Sequence, residues 1–132
     1  MKVGDSASIT RSYTAADTAA LTALAGVEVV VDGLVPEPLV GGLFSYLLGR
    51  ELPGFGTNYL KQEMRFLRPV LVGEPVTATV EITRIRPDKH LVDLATTCTD
   101  ASGEVLCEGR ALVLVKDVGH RKTDKQQGSD TA

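Results

Sequence analysis

Apolar residues recur at helical spacing between Pro38 and Gly49, with few polar residues among them. Six large apolar residues follow this spacing: Leu39, Val40, Leu43, Phe44, Leu47 and Leu48. A helix that is apolar on most sides is expected to be surrounded by the rest of the fold. Proline suits the start of a helix and glycine suits its end. The pattern therefore predicts a buried central helix that begins at or just after Pro38 and ends at Gly49.

Downstream of this helix, apolar and polar residues alternate, which predicts antiparallel strands with one solvated face. Four apolar residues alternate cleanly with polar ones in the most regular stretch: Val76, Ala78, Val80 and Ile82. The alternation slips at Arg84, which predicts a β-bulge or a strand end. Leu91–Thr99 and Glu104–Lys116 are predicted to form the last hairpin. In an earlier strand, Leu60, Gln62, Met64 and Phe66 are predicted to share one face, opposite Tyr59, Lys61, Glu63 and Arg65.

The chain upstream of the central helix predicts a strand, a short helix and a second strand. Ala7–Tyr13 alternates enough to form the first strand. Thr14 is the predicted N-cap of the helix, and Asp17 stands where a carboxylate favours a helix start. Val27–Val31 is rich in β-branched residues, which is typical of a strand.

These elements together predict a single α+β domain, in which a helix packs on an antiparallel sheet. The chain has 132 residues, 43% of them hydrophobic, which is enough for one buried core. Residues 117–132 are polar and have no apolar period. We therefore expect a domain of residues 1–116 followed by a disordered tail.

Composition and charge narrow the possible partners. The net charge is −3 and the isoelectric point is near 5.3, so the chain has no overall basic field for nucleic acid or an anionic membrane. No apolar run approaches the ~18 residues that a membrane-spanning helix needs. Met1–Asp5 lacks the apolar region of a secretory signal, so we expect a cytoplasmic protein. No His or Cys cluster has the spacing of metal ligands, and we expect neither a metal nor a cofactor.

The two cysteines flank a predicted hairpin turn. If the turn pairs Asp100 with Glu104, Cys98 faces Leu106, and Cys107 lies one position further along its strand. Neighbouring residues of a strand point to opposite faces, so the two thiols are predicted to lie on opposite sides of the sheet. We therefore expect reduced, buried, structural thiols rather than a disulfide.

Two consecutive motifs resemble a known family. They are Leu43-Phe44-Ser45-Tyr46-Leu47-Leu48-Gly49 and Leu52-Pro53-Gly54-Phe55-Gly56-Thr57-Asn58-Tyr59-Leu60-Lys61-Gln62. Over roughly residues 4–117, the chain resembles the MaoC-like, (R)-specific enoyl-CoA hydratases. This resemblance implies a single hot-dog domain, in which the sheet wraps around the central helix. It also implies acyl thioesters of coenzyme A or an acyl carrier protein as ligands, and a homodimer or a heterodimer with another hot-dog subunit.

The chain departs from this family where its catalytic pair is expected. Hydratases of the family carry the signature Gly-Asp-x-Asn-Pro-x-His, whose Asp and His act through a bound water. Placed without gaps on Gly26–Asp32, the signature's Asp falls on Val27 and its His falls on Asp32. The family's His-Gly at the start of the central helix has no matching His here, and Val40-Gly41 is the nearest local match.

Other residues are candidates for the missing roles. Asp32 and Glu37 are the carboxylates nearest the expected site, and either is a candidate acid or base. The alternatives are a turn role for Asp32 and a helix-dipole role for Glu37. By resemblance, the backbone N–H groups of Val40, Gly41 and Gly42 are candidate donors to the thioester oxygen; glycine there also suits close helix packing.

The nucleotide end of coenzyme A needs a few cations, and the acyl chain needs an apolar channel. Lys61 and Arg65, on one predicted strand face, are candidates for the first role, and further cations lie near strand ends: Arg68, Arg84, Arg86 and Lys89. Tyr59 is a candidate for the second role. Solvated surface and core packing are the respective alternatives. Three functions remain open: an enoyl-CoA hydratase or 3-hydroxyacyl dehydratase with an altered or lost dyad, a thioesterase in which Glu37 or Asp32 orients water, and a non-catalytic acyl-thioester-binding subunit.

Overall fold

The computed structural model describes residues 1–25 and 33–118. The elements in chain order are β1 (Ser6–Arg11), α1 (Ala15–Ala25), β2 (Leu34–Val35), α2 (Glu37–Tyr46), a π-helical turn (Leu47–Glu51), β3 (Asn58–Phe66), β4 (Val70–Leu71), β5 (Val76–Arg86), a 3₁₀ turn (Pro87–Lys89), β6 (Leu91–Asp100) and β7 (Val105–Leu114). The predicted strand at Val27–Val31 and the candidate Asp32 lie outside the described residues.

Five strands form one antiparallel sheet in the order β1-β5-β6-β7-β3, and β2 and β4 form a separate pair. The face of the sheet that carries the buried side chains, here called the inner face, contributes to one core with α2. Within α2, Val40 and Phe44 are fully buried. The predicted α+β class, with a buried central helix on an antiparallel sheet, is therefore confirmed.

Local capping starts α1 as predicted. The Thr14 N–H group donates to the Asp17 carboxylate at 2.9 Å, and the Asp17 N–H group donates to the Thr14 hydroxyl at 3.2 Å. These reciprocal bonds satisfy donors that a helix start leaves open. Only Thr18 of α1 is buried, whereas Leu24 is 86% exposed. Ala16, Ala19, Ala20 and Ala23 are also exposed, so the side of α1 that carries these alanines does not face the core.

The central helical segment runs past its predicted end at Gly49. Leu47–Glu51 continues α2 as a π-helical turn, and the Leu52 N–H group closes it by donating to the Leu47 carbonyl at 2.8 Å. Leu47 and Leu48 are 0% and 1% exposed, so burial of this turn outweighs the low helix propensity of the glycine.

A bulge changes which side chains of β3 face inward. The register with β7 shifts between Tyr59 and Lys61, so Leu60 is the extra residue and is 52% exposed. Tyr59 pairs with the buried Val113 and lies on the inner face with Met64. The prediction that Leu60 shares this face and that Tyr59 lies opposite is wrong, because one extra residue exchanges the two faces.

A second bulge overturns the predicted arrangement of the cysteines. Cys98 pairs directly with Cys107 across β6 and β7, and the register shifts between Cys98 and Thr99. The bulge at Leu106 moves Cys107 forward by one position, so the two thiols lie across from each other on one face. Both are free and fully buried, as expected of structural thiols.

The remaining strands follow the sequence pattern closely. The inward residues of β5 from Val76 to Ile82 are 0–1% exposed, and the predicted slip is a bulge between Ile82 and Arg84. At the end of the described chain, the backbone of Asp117 lies against Gly56, whose φ of +96° is left-handed. Most of the predicted tail, residues 119–132, lies outside the described residues. No helix in the described ranges has the length and apolar character needed to cross a membrane.

Candidate functional site

A cavity of about 440 Å³ opens at the start of α2. One wall is the β2 segment leading into the helix, from Leu34 to Glu37, and the other is the end of β3 and the following loop, from Phe66 to Val70. The β2–β4 pair holds the two walls together, because Leu34 pairs with Leu71 and Val35 with Val70. The cavity is therefore built by chain segments that are distant in sequence.

The first turn of α2 presents one backbone donor. The N-terminal N–H groups of a helix have no intrahelical acceptor, and proline has no N–H group. Pro36 is the N-cap and Pro38 the second helical residue, and the Leu39 N–H group donates to the Pro36 carbonyl at 3.0 Å. In the described structure, this leaves the Glu37 N–H group at the helix start, where the helix dipole favours an oxygen carrying negative charge.

The donors predicted from the sequence lie about one turn beyond Glu37 in the helix. Val40, Gly41 and Gly42 lie inside α2, where N–H groups bond to carbonyls four residues earlier. They also face different surroundings: Val40 is buried in the core, whereas Gly42 lines a separate groove between α1 and α2. A Cβ atom at Gly41 would lie 3.2 Å from the Met64 methyl carbon, so this glycine serves close packing of α2 on β3.

Glu37 is the predicted catalytic candidate that the structure places at the cavity. Its side chain is exposed in the first turn of α2. After burial, which is the larger cause, its charge contributes to raising the pKa of Cys107 to about 11. The negative charge of Glu37 therefore acts on Cys107, a core residue near the start of β7. The other candidate, Asp32, is outside the described residues.

Arg68, which the sequence offered only as one of several cations near strand ends, forms the polar part of the cavity wall. Its guanidinium lies 2.7 Å from the Glu74 carboxylate, 2.9 Å from Asp100 and 3.7 Å from Glu104. Hydrogen bonding to Glu74, followed by that to Asp100, raises the pKa of Arg68 above its ordinary range. Three carboxylates thus hold this cation, so it anchors the loop and is not available to bind an anionic ligand.

Asp100 organises the hairpin beside this ion-pair network. Its carboxylate accepts hydrogen bonds from the Ser102 hydroxyl at 2.7 Å and from the Ser102 and Glu104 N–H groups at 2.9 Å. These bonds, with that from Arg68, lower the pKa of Asp100 to about 2, the Ser102 hydroxyl having the largest effect. The network therefore links the cavity wall to the β6–β7 turn.

The predicted ligand-binding residues of β3 do not meet at the cavity. Arg65 lies on the outer face and donates to Glu108 at 2.8 Å, and Lys61 is exposed on the same face. Tyr59 is on the inner face, and burial raises the pKa of its hydroxyl to about 12. That hydroxyl is buried without a hydrogen-bond partner. In the described ranges, no three His, Cys, Asp or Glu side chains are grouped so that they could hold a metal ion.

Comparison with known proteins assigns the chain to a family. No protein-family model matches it. It is 36% identical over 126 residues to an (R)-specific enoyl-CoA hydratase of Aeromonas caviae, covering 86% of this chain and 94% of that protein. An (R)-specific enoyl-CoA hydratase of Rhodospirillum rubrum is 47% identical over 77 residues, which cover 58% of this chain and 53% of that protein.

Solved structures agree with this assignment. The structure of the A. caviae (R)-hydratase involved in PHA biosynthesis matches with a TM-score of 0.80 at 36% identity, covering 86% of this chain and 96% of that one. An R-hydratase of Pseudomonas aeruginosa matches with a TM-score of 0.79 at 29% identity, covering 86% and 81% respectively. The chain therefore has the hot-dog fold and belongs to the MaoC-like, (R)-specific enoyl-CoA hydratase family.

Proposed function

We propose that this chain binds an acyl thioester, of coenzyme A or of an acyl carrier protein, in the cavity at the start of α2. The observation that carries this proposal is the Glu37 N–H group, which the two flanking prolines leave as the donor of the first helical turn. A backbone donor at a helix N-terminus suits a thioester oxygen, on which negative charge grows when the carbonyl is polarised. The names of the relatives from A. caviae and R. rubrum support the same ligand class.

The acyl group would lie along the apolar part of the cavity. Val35 and Val70, which are paired across β2 and β4, are 6% and 1% exposed, and Phe66 is half-buried beside them. These side chains offer an alkyl chain a dry surface, and each buried CH₂ group would contribute ~0.8 kcal/mol. The ion pairs of Arg68 hold the wall from Phe66 to Val70 in place. They also neutralise the guanidinium group, so that the acyl chain would not meet an unpaired cation.

Hydration of an enoyl thioester needs a base for water and an acid for the α-carbon. The sequence has Val27 in place of the family's Asp and Asp32 in place of its His. In the described chain, Glu37 is the carboxylate that lines the cavity. We therefore infer retained thioester binding with weak or absent hydration, so that the chain acts mainly as a binding subunit, and we keep Glu37 and Asp32 as the candidate replacement catalysts.

A second subunit would complete the assembly through β3. This strand has nine residues, pairs with β7 and ends the sheet on that side. Leu60, at its bulge, is 52% exposed. Long edge strands tend to pair with another chain, so we infer a homodimer or a heterodimer with another hot-dog subunit. A cytoplasmic location and contact of Lys61 and Arg65 with the nucleotide end remain predictions from the sequence.

Two substitutions at one position separate the roles of the backbone donor and the carboxylate. Glu37→Pro removes both groups, whereas Glu37→Gln keeps the N–H group and removes the charge. Proline is tolerated at the first helical position. Pro36 already has φ −60° and ψ 139°, the extended conformation that a following proline requires. The folded state should therefore survive both changes, which circular dichroism would verify.

Calorimetry with butyryl-CoA should show near-unchanged affinity for Glu37→Gln and about 10-fold weaker binding for Glu37→Pro. Hydration of crotonyl-CoA should be about 10²–10⁴-fold below that of the A. caviae relative. Rapid hydration that collapses in Glu37→Gln or Asp32→Asn would replace the binding-subunit proposal with an enzyme, and rapid release of free thiol would make it a thioesterase. Absence of acyl-CoA binding would refute the proposal altogether.

A further inference from the structure

A second cleft, of about 470 Å³, lies on the outer face of the sheet, away from the cavity at α2. Its lining contains three arginines from two strands, Arg84 and Arg86 of β5 and Arg110 of β7. Its lining contains one carboxylate, that of Asp93. In a chain whose net charge is −3, three guanidinium groups around one cleft are a marked local excess of positive charge.

The bulge in β5 produces this arrangement. After the register shift between Ile82 and Arg84, Arg84 pairs with Asp93 and Ile85 pairs with the buried Val92. Ile85 therefore points inward, and the arginines on either side of it point outward. The floor between them and Arg110 includes Ala95 and Gly109, which have no long side chain to fill the cleft.

The arginines are incompletely neutralised. Arg86 donates to Asp93 at 2.8 Å, yet its Nε–H group is buried and has no hydrogen-bond acceptor. Arg110 and Glu63 are 3.8 Å apart, with side chains 62% and 59% exposed, which makes a weak pair. Arg84 has no ion-pair partner in residues 1–25 or 33–118.

Arg84 lines the cleft without an ion-pair partner among the described residues, so its guanidinium group favours a ligand rich in acceptor oxygens. Planar guanidinium groups match the oxygens of a phosphate in pairs. Glu81, which pairs in register with Ala95, does not line the cleft. We propose that this outer-face cleft binds a phosphate group, separately from the thioester carbonyl site on the other side of the sheet.

The test is an NMR titration of the full chain with inorganic phosphate. Saturable shift changes should appear at the amides of residues 83–86, 93–95 and 109–110, and not at the start of α2. Arg84→Gln should weaken binding about 10-fold, since it removes a charge-assisted contact without breaking an ion pair. Glu63→Gln should strengthen binding about 2-fold, because it releases Arg110 from a weak pair.

Arg11→Gln is the control, because Arg11 is also paired with a carboxylate, that of Asp17 at 3.8 Å, but does not line the cleft. It should leave phosphate affinity unchanged. The proposal is overturned if no saturable change occurs, if the shifts spread over the whole outer face, or if Arg11→Gln weakens binding as much as Arg84→Gln does.

Parallel titrations identify the source of the phosphate group. If Arg84→Gln weakens the binding of adenosine 3′,5′-bisphosphate and butyryl-CoA together with that of inorganic phosphate, the cleft holds the nucleotide phosphates of the thioester ligand. If it weakens inorganic phosphate alone, the cleft serves a separate phosphate ligand. Both results support the site. Failure of acyl-CoA binding would refute the proposed function and leave the phosphate result standing.

Discussion

The Tyr13 hydroxyl donates a hydrogen bond of 2.7 Å to the Leu39 carbonyl oxygen. Tyr13 lies just after β1 and is 3% exposed, so this bond joins one edge of the sheet to the first turn of α2. The Tyr13 carbonyl also accepts from the Gly73 N–H group at 2.8 Å. One buried residue thus positions the helix start that carries Glu37 and connects it to the turn before β5.

Replacing Tyr13 with Phe should lower the free energy of unfolding by about 1 kcal/mol, because it removes a buried hydrogen bond and preserves the ring. Urea denaturation would measure the change. Tyr46→Phe is the matched control, since Tyr46 is 43% exposed, and should change stability by less than about 0.5 kcal/mol. Equal losses in the two variants would contradict the structural role assigned to the Tyr13 hydroxyl.

Gly109→Ala should be strongly destabilising, by about 2 kcal/mol or more. A Cβ atom at this position would collide with the Glu63 carbonyl, so β3 and β7 would have to separate. Gly42→Ala is the contrasting change within α2, where a Cβ atom meets nothing within 4 Å. It should stabilise the protein by about 0.5–1 kcal/mol through helix propensity. Thermal unfolding of both variants would check the opposite signs.

Acid should weaken the Arg68 network. The pKa of Asp100 falls from its ordinary 3.8 to about 2 in the folded protein, and hydrogen bonding to Arg68 lowers that of Glu74. A carboxylate with a lowered pKa contributes stability above its unfolded pKa and loses it as pH falls through the folded value. The melting temperature should therefore drop between about pH 4 and pH 2 through Asp100.

Asp100→Asn should make this acid-dependent drop shallower, because the titrating group is gone while Glu74 still titrates. Its melting temperature at pH 7 should be below that of the unchanged protein. Glu104→Gln is the control, since Glu104 is 3.7 Å from Arg68 with a side chain 66% exposed, and should keep the full acid dependence. The assignment would be wrong if Asp100→Asn showed the same slope as the unchanged protein.

The facing thiols should react slowly in the folded protein. Cys98 and Cys107 are both 0% exposed, and burial raises the pKa of each to about 11. At pH 8 only about one thiol in a thousand is then the reactive thiolate. A chromogenic disulfide reagent should therefore label both thiols rapidly in urea and slowly without it. Rapid labelling under native conditions would show that β6 and β7 separate readily.

Local patterns in the sequence were sufficient for much of the fold. The helical spacing around Phe44 predicted α2, and the alternation around Val80 predicted β5. Each pattern indicates which side of the element is buried. Thr14 and Asp17 predicted the start of α1 because capping depends on neighbours within one turn. The family resemblance rested on consecutive motifs and was confirmed by relatives.

The candidate site was only partly predictable. Glu37 was a candidate because it is one of the carboxylates nearest the site expected from the family resemblance, and it lines the cavity. Arg68 was named only as one of several cations near strand ends, because its ion pairs are with carboxylates 6, 32 and 36 positions away in the chain. The donors predicted at Val40–Gly42 lie inside α2 and stay a prediction, and which N–H group of the first turn is free depends on the carbonyls that this turn uses.

The sequence by itself determined the central helix, the alternating strand β5, the last hairpin and the family, since these depend on local periodicity and consecutive motifs. Tertiary structure alone decided the faces of Tyr59 and Leu60, the direct pairing of Cys98 with Cys107, and the arginine cleft. Each of these depends on a bulge in one strand relative to its partner. A single extra residue exchanges the faces of a strand, and where it is accommodated depends on how the neighbouring strand and the core pack against it.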